Sequence, residues 1–374
     1  MCKIAIIDAM NRIYKQTLGL MSKNKYPIDD IFKNNCHIIA TYSFTTHLLK
    51  NSILPIYVFD GKCPEEKKEA VNKRKKIKEK FRSECEIFED KTSDDYIKTF
   101  KKSFTLTAPK MEECKLMLKY MGIKYVDSPE EADKQCAVMA KYLGNKCMGV
   151  ISDDLDILLY GSPIILRNFS IMNYNSIKRM EINEVLNDYL IRANNIRLKN
   201  NLLPINSFTH QNFLDYNILI GTDYTVIENE TKQLFKINIP SDLLFEYFTL
   251  VDFDICKLGV VLETNELIPF PNNIMVDKIR SINLIYKNAV FSPPECLDIV
   301  PSRIDKNEFY NFMCDKKKIT KKFVENELNA VLPYLFAFKH ILDNQTIDWN
   351  YDYEYIKTIF AKQCLYYNIV NRKR

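Results

Sequence analysis

The chain is short of several things. It has no run of about 18 apolar residues, so no segment reads as a membrane-spanning helix. Its amino terminus, MCKIAIIDAM, has one lysine, a short apolar run and an acid in place of a small-residue cleavage site, which is not expected of a signal peptide. Eleven cysteines occur singly with no C-x-x-C pair, and the four histidines are not spaced as zinc ligands. A zinc site and a disulfide framework are thus excluded as first readings, and free thiols in a reducing compartment are expected. Glycine is scarce at eight residues, Trp349 is the lone tryptophan, and no internal repeat is visible. The abundance of Lys, Asn, Ile and Tyr fits coding by an AT-rich genome and carries no functional weight.

What is present is enough for a sizeable core: 374 residues, 47% of them hydrophobic, for one large domain or a core with an appendage. Lys and Arg exceed Asp and Glu by 53 to 48, a net charge of +5, so any nucleic-acid surface must come from local clustering. Three apolar, β-branched runs read as buried strands: Lys3 to Ile7, Ile53 to Phe59 and Cys147 to Ser152. An aspartate follows each. Helical stretches lie between them, notably Ile38 to Lys50 and Glu112 to Met121, and this alternation predicts βα crossovers and a mainly parallel sheet. Ligands of such sheets sit outside the carboxyl ends of the strands, so Asp8, Asp60 and Asp154 are expected at one edge.

Other residues can join them. Asp154 and Asp156 stand two apart and, in an extended backbone, would face the same side. In SPEEADKQ, Ser128, Pro129 and Glu131 match a capping box, and Asp133 suits the first turn of a helix, so the segment serves helix capping and a site equally well. An isolated aspartate after a strand is ordinarily a turn former or helix cap. Crowded carboxylates repel one another unless divalent cations neutralise them, and all-oxygen donors favour magnesium or manganese. The run EEKKEAVNKRKKIKEKFRSE, residues 65 to 84, is almost wholly charged and predicts a solvated helix. The polar, weakly periodic stretch to Thr107 predicts a mobile insertion. From about Met180 the pattern turns helical and aromatic.

These residues resemble the flap endonuclease and xeroderma pigmentosum nuclease superfamily of structure-specific 5′ nucleases. IAIIDAMNRIY (4 to 14) and ILPIYVFDGKCPEEKKEAVNKR (53 to 74) resemble its first two ligand motifs, and ECKLMLKYMGIKYVDSPEEADKQCA (113 to 137) its internal acidic block. GVISDDLDILLYGSPIILRN (149 to 168) resembles its DxD block and LIGTDY (219 to 224) the block with the last acid. A weaker similarity at residues 305 to 328 is to the segment closing the nuclease core. The resemblance implies an α/β PIN-like core with a mainly parallel sheet flanked by helices, a helical arch insertion and a helical C-terminal region. By position it implies nuclease regions at 1–80 and 109–230, an arch or cap at 81–108, a degenerate helix–turn–helix and core-closing region at 231–330, and an extension at 331–374.

Carried over residue by residue, the resemblance implies metal ligation by Asp8, Asp60, Glu131, Asp133, Asp154, Asp156 and Asp223, with two Mg2+ ions for which Mn2+ could substitute. It implies phosphate contacts from Lys67 and Arg74 and base stacking by Tyr14, a position that suits a core tyrosine equally well. Lys67 and Arg74 are seven residues apart, hence on one helix face, with Lys78 continuing the stripe. The implied activity is endonuclease and 5′ exonuclease cleavage of flapped or branched DNA in replication, repair or recombination. A related ribonuclease and a branched-DNA-binding protein without catalysis are the competing readings. A monomer acting in the nucleus is expected, or, for a viral gene, in the host nucleus or a cytoplasmic replication site.

The chain departs from the family pattern in three places. It reaches its first strand almost at once, without the glycine-initiated helix that family members place near DNA. After Asp223 the Gly-x-Gly element that grips duplex phosphates is replaced by TVIENETKQLFKINIPSDLLFEYF, which has no glycine, and Gly259 is the only one further on. The tail after Leu342 shows no sliding-clamp peptide, and NRKR at its end is a weak nuclear signal or a frayed basic terminus.

Overall fold

Six strands form the centre of the computed structural model, which describes residues 3–21, 30–91, 93–170, 176–225, 239–268 and 271–343. They are β1 Lys3–Asp8, β2 Ile53–Phe59, β3 Tyr125–Asp127, β4 Cys147–Ile151, β5 Ile164–Arg167 and β6 Lys178–Glu181, in the spatial order β3-β2-β1-β4-β5-β6. All neighbours pair in parallel except β5 and β6. Every residue of β1, β2 and β4 is buried, as expected of strands covered on both faces. Pro55 sits in β2 without disrupting it, because β3 pairs only with Tyr57 to Phe59 and leaves the start of β2 as an edge.

The first helices are α1 Ala9–Met21, α2 Asp30–Lys50, α3 Lys68–Ile87, α4 Asp94–Ser103, α5 Ala108–Tyr120, α6 Ala132–Leu143 and α7 Asp156–Leu159. The second set is α8 Ile182–Lys199, α9 His210–Ile220, α10 Ser241–Leu250, α11 Ile255–Thr264, α12 Asn272–Asn288, α13 Lys306–Tyr310 and α14 Lys321–Asp343. No helix among the described residues is long and apolar enough to cross a membrane. One continuous core joins the sheet to the C-terminal helices, with Tyr42, Phe44, Phe169, Phe245 and Phe309 among its largest fully buried side chains. None of the nine cysteines among the described residues forms a disulfide, and five of them are buried.

The segment following the charged run is helical, as expected of the arch: α3 continues to Ile87 and α4 packs back on it, held by Ser93 capping the Tyr96 amide and by the Phe88, Tyr96 and Phe100 rings. Two local expectations need correction. The backbone between Asp154 and Asp156 is a turn rather than extended, with the Asp156 amide donating to Asp154 Oδ1 at 3.0 Å as α7 begins. Finally, Glu131 does not serve a capping box. It occupies the N-cap position of α6 without a side-chain cap bond, and the Ala132 amide donates instead to Asp60 Oδ1 at 2.8 Å. A carboxylate 72 residues earlier in the chain thus supplies the cap.

Of the departures noted above, residues 226–238 and the tail from 344 onward lie outside the described residues. Gly259 is buried in α11 where a Cβ would meet Asn272 Cβ at 3.0 Å and Met275 Cε at 3.2 Å; it serves close packing of α11 on α12.

Candidate metal centre

Parallel pairing of β2, β1 and β4 brings their carboxyl ends to one edge, as the three terminal aspartates predict. Asp8, at the end of β1, is buried; its Oδ2 accepts from the Ser152 hydroxyl at 2.6 Å and its Oδ1 from the Asn11 amide at 3.3 Å. Asp60 follows β2 and is held by the α6 amino terminus. Close approach of two loops makes this contact possible. Gly61 donates to Glu130 O at 2.7 Å and Lys62 to Pro129 O at 3.1 Å, and a Cβ on Gly61 would lie 1.9 Å from Ser128 O. Glycine is the residue that allows this approach.

Glu131 and Asp133 enter from the start of α6, Asp154 and Asp156 from the turn into α7, and Asp223 from the loop after α9. Burial, then the neighbouring charge of Asp60 and, to a smaller extent, Asp154, pushes Asp8 up to about 7 against the hydrogen bonds from Ser152 and Asn11. Burial, then Asp8, Asp154 and Asp60, holds Asp133 well above the usual carboxylate range. Burial and Asp154 push Asp156 up to about 7. The acids singled out in the sequence therefore share one electrostatic neighbourhood, although they come from five separate chain segments.

Cations enter it too. Lys67 closes a single 3-10 turn, Glu65–Lys67, ahead of α3, and its ammonium lies 2.5 Å from Glu131 Oε1 and 3.3 Å from Asp223 Oδ2 with only 11% of the side chain exposed. Burial alone would lower this ammonium, but Glu131, Asp133 and Asp223 outweigh it and raise it. Arg74, two turns on in α3, reaches both Asp223 oxygens at 3.0 and 3.2 Å. The charged helix is indeed solvated along much of its length, yet these two side chains point into the acids. Lys78 is 4.5 Å over the Tyr14 ring, which also stacks on Phe104 with centroids 5.8 Å apart. Tyr14 is thus half-buried at the junction of α1, α3 and the chain after α4, with Lys78 beside it.

Three tyrosines complete the shell, and the sequence reading gave them no role. Tyr224 and Tyr160 both donate to Glu131 Oε2, the latter at 3.4 Å, and their hydroxyls are 3.2 Å apart. Tyr286, on α12, donates to Asp156 Oδ2 at 3.1 Å. Tyr160 and Tyr224 fall within the acidic blocks and could have been flagged by proximity, whereas Tyr286 lies in a stretch with no motif. A cleft of about 270 Å³ opens beside Glu131, lined in part by Lys134, Tyr160, Tyr224, Leu284 and Val290.

Among the described residues, no three His, Cys, Asp or Glu side chains converge closely enough to grip an ion as they stand. Their oxygens are engaged: by Lys67 and Tyr224 at Glu131, by Arg74 at Asp223, by Tyr286 at Asp156 and by Ser152 at Asp8. The donor set nonetheless fits a hard divalent cation. Seven carboxylates face two cations, Lys67 and Arg74, and all-oxygen donors with this excess of negative charge suit such an ion.

An α/β protein with a carboxylate centre at the carboxyl edge of a parallel sheet is the class that fold and site define. The family model described as XPG N-terminal domain matches residues 2–81, and that described as XPG I-region matches residues 122–223. Flap endonuclease 1 of Methanococcus aeolicus is 33% identical over 229 residues, spanning 60% of this chain and 63% of that protein. The stretch aligned thus covers somewhat under two thirds of this relative's length. The solved structure of flap endonuclease-1 from Methanococcus jannaschii shares the fold, with a TM-score of 0.59 at 23% identity over 89% of this chain and 92% of that one. The catalytic core of Rad2 in complex with DNA substrate superposes with a TM-score of 0.56 at 20% identity over 88% of this chain and 93% of that chain. These matches support the likeness of the chain to the XPG and flap endonuclease superfamily.

Proposed function

We propose that this chain is a divalent-metal-dependent, structure-specific DNA endonuclease and 5′ exonuclease acting on flapped or branched DNA. The observation that carries the reading is the meeting of Asp8, Asp60, Glu131, Asp133, Asp154, Asp156 and Asp223 with Lys67 and Arg74 at one sheet edge. The relatives' names and the DNA held by the Rad2 core support it.

Magnesium ions, two in this reading with Mn2+ able to substitute, would be held by the seven carboxylates. When bound they supply water activation and charge stabilisation for phosphodiester hydrolysis. Lys67 and Arg74 would turn from Glu131 and Asp223 to the oxygens of the scissile phosphate, where fixed positive charge is worth most as negative charge develops. The α3–α4 hairpin, with Lys78 and Tyr14 at its base, would bound the path of the strand being cut. The protein would act as a monomer at sites of DNA replication or repair, the nucleus in a eukaryotic host. Any sliding-clamp peptide would fall in the tail outside the described residues.

Purified full-length protein should cut a 5′-flapped DNA duplex in Mg2+, prefer it to matched RNA and single-stranded substrates, and lose at least 100-fold in rate on Asp154→Asn with unchanged melting temperature. Equal cleavage by that variant would remove Asp154 from the site, and preference for RNA would make the protein a ribonuclease.

A further inference from the structure

Among the described residues, Tyr286 is the side chain that hydrogen-bonds to the acidic centre from the C-terminal helices rather than from the sheet edge and its loops. Its hydroxyl donates to Asp156 Oδ2 at 3.1 Å. Its ring packs against Tyr160 at 4.8 Å between centroids and edge-on to Tyr224 at 5.4 Å. Those two rings carry the hydroxyls that hold Glu131. One ring cluster therefore grips two candidate ligands from different segments.

The helix bearing Tyr286 is itself fixed. Asn283, one turn earlier, donates to the buried Asp215 of α9 at 2.6 Å, and Gln211 Nε2 donates to both Asp215 Oδ1, at 2.9 Å, and Asn283 Oδ1, at 2.8 Å. Just beyond α12, the Val290 amide donates to Glu130 at 3.0 Å, while Ser292 exchanges two hydrogen bonds with the Gln135 side chain. The chain from Asn283 to Ser292 is thus a strap tied to α9 at one end and to α6, the helix bearing Asp133, at the other.

We infer that Tyr286, acting with Tyr160 and Tyr224, is a positioning residue of the metal centre, its hydroxyl fixing the rotamer of Asp156 so that the other carboxylate oxygen faces the cation. The inference rests on the nuclease reading above. A hydrogen bond to one oxygen of a ligating carboxylate restrains its rotation and sets which lone pairs remain for the metal. The C-terminal helices then take part in metal binding without supplying a ligand.

The test is Tyr286→Phe in the full chain, which removes the hydroxyl and keeps the ring. Mn2+ binding followed by electron paramagnetic resonance should weaken about tenfold while the melting temperature stays within about 2 °C, and flap cleavage should need correspondingly more Mn2+. Tyr286→Leu, which also removes the ring, should lower the melting temperature as well. Mn2+ affinity within twofold of wild type in Tyr286→Phe would overturn the inference and leave the nuclease reading standing. Failure of the wild-type protein to bind Mn2+ would overturn both.

Discussion

Gly61→Ala adds one methyl group at the point where the chain after β2 crosses the chain before α6. The new Cβ would sit 1.9 Å from Ser128 O and within 2.8 Å of the Pro129 carbonyl, all backbone atoms, so no side chain can swing aside. Relief requires the two segments to part by more than about 1 Å. Three hydrogen bonds span that crossing: Gly61 to Glu130 O, Lys62 to Pro129 O, and the Ala132 amide to Asp60. At about 1 kcal/mol for each of these, the expected loss of stability is about 3 kcal/mol. The same displacement separates Asp60 from Glu131 and Asp133, and misplacement on this scale costs about 100-fold in rate. Urea denaturation and single-turnover cleavage of a 5′-flap duplex measure the two effects. Stability within about 0.5 kcal/mol of wild type together with cleavage within about threefold would refute the claim that this crossing builds the centre.

Lys67→Met removes the cation between Glu131 and Asp223 while keeping the apolar stem. In EDTA it should cost about 3 kcal/mol, because the acids lose their internal counter-charge, and saturating Mg2+ should restore most of this while cleavage stays at least 100-fold down. A loss that Mg2+ leaves unchanged would mean that Lys67 is purely structural. His37, fully buried against Glu113 on α5, is held down to about 4 from its ordinary 6.5, first by burial and then by Lys110 and Lys317, despite the opposing pull of Glu113. The unfolded chain takes up this proton at higher pH than the folded one, so the contribution is intact above pH 6.5 and is lost as the pH falls toward 4, about 2 kcal/mol by pH 5. Urea midpoints at pH 7 and pH 5 should show His37→Gln to be less acid-sensitive than wild type by that amount, and equal sensitivity would place the titrating group elsewhere.

The sheet and the acids on its edge were legible because β1, β2 and β4 are unbroken apolar runs, each followed by an acid, and parallel pairing makes the position of such acids a consequence of strand direction. β3, β5 and β6 have three or four residues each and were not, since alternation needs more length to register. The ten-residue α4 was hidden for a similar reason. Glu131 shows a different limit. Ser128-Pro129-x-Glu131 satisfies a local capping rule, but the cap comes from Asp60 and the glutamate is left free for Lys67 and Tyr224, a choice made by tertiary contact alone. Tyr286 had no local signal, since its role exists only once α12 lies against the turn into α7.

Charge balance ties these pieces into one equilibrium. Lys67 and Arg74 satisfy Glu131 and Asp223, so a phosphate can recruit them only by stranding two acids, unless another cation takes their place. A divalent ion likewise can draw Glu131 and Asp223 inward only by freeing Lys67 and Arg74, which then need an anion. On the proposed reading each ligand would therefore lower the cost of binding the other, and linkage requires the benefit to be mutual. Flap DNA should bind more tightly in Ca2+ than in EDTA, by more than screening predicts, and Ca2+ should bind more tightly in the presence of DNA by the same factor. Replacing Arg74 with Met should shrink that factor because one of the exchanged pairs is gone. DNA affinity independent of the divalent cation in wild-type protein would show that the pairs seen between α3 and the acids are not exchanged on binding.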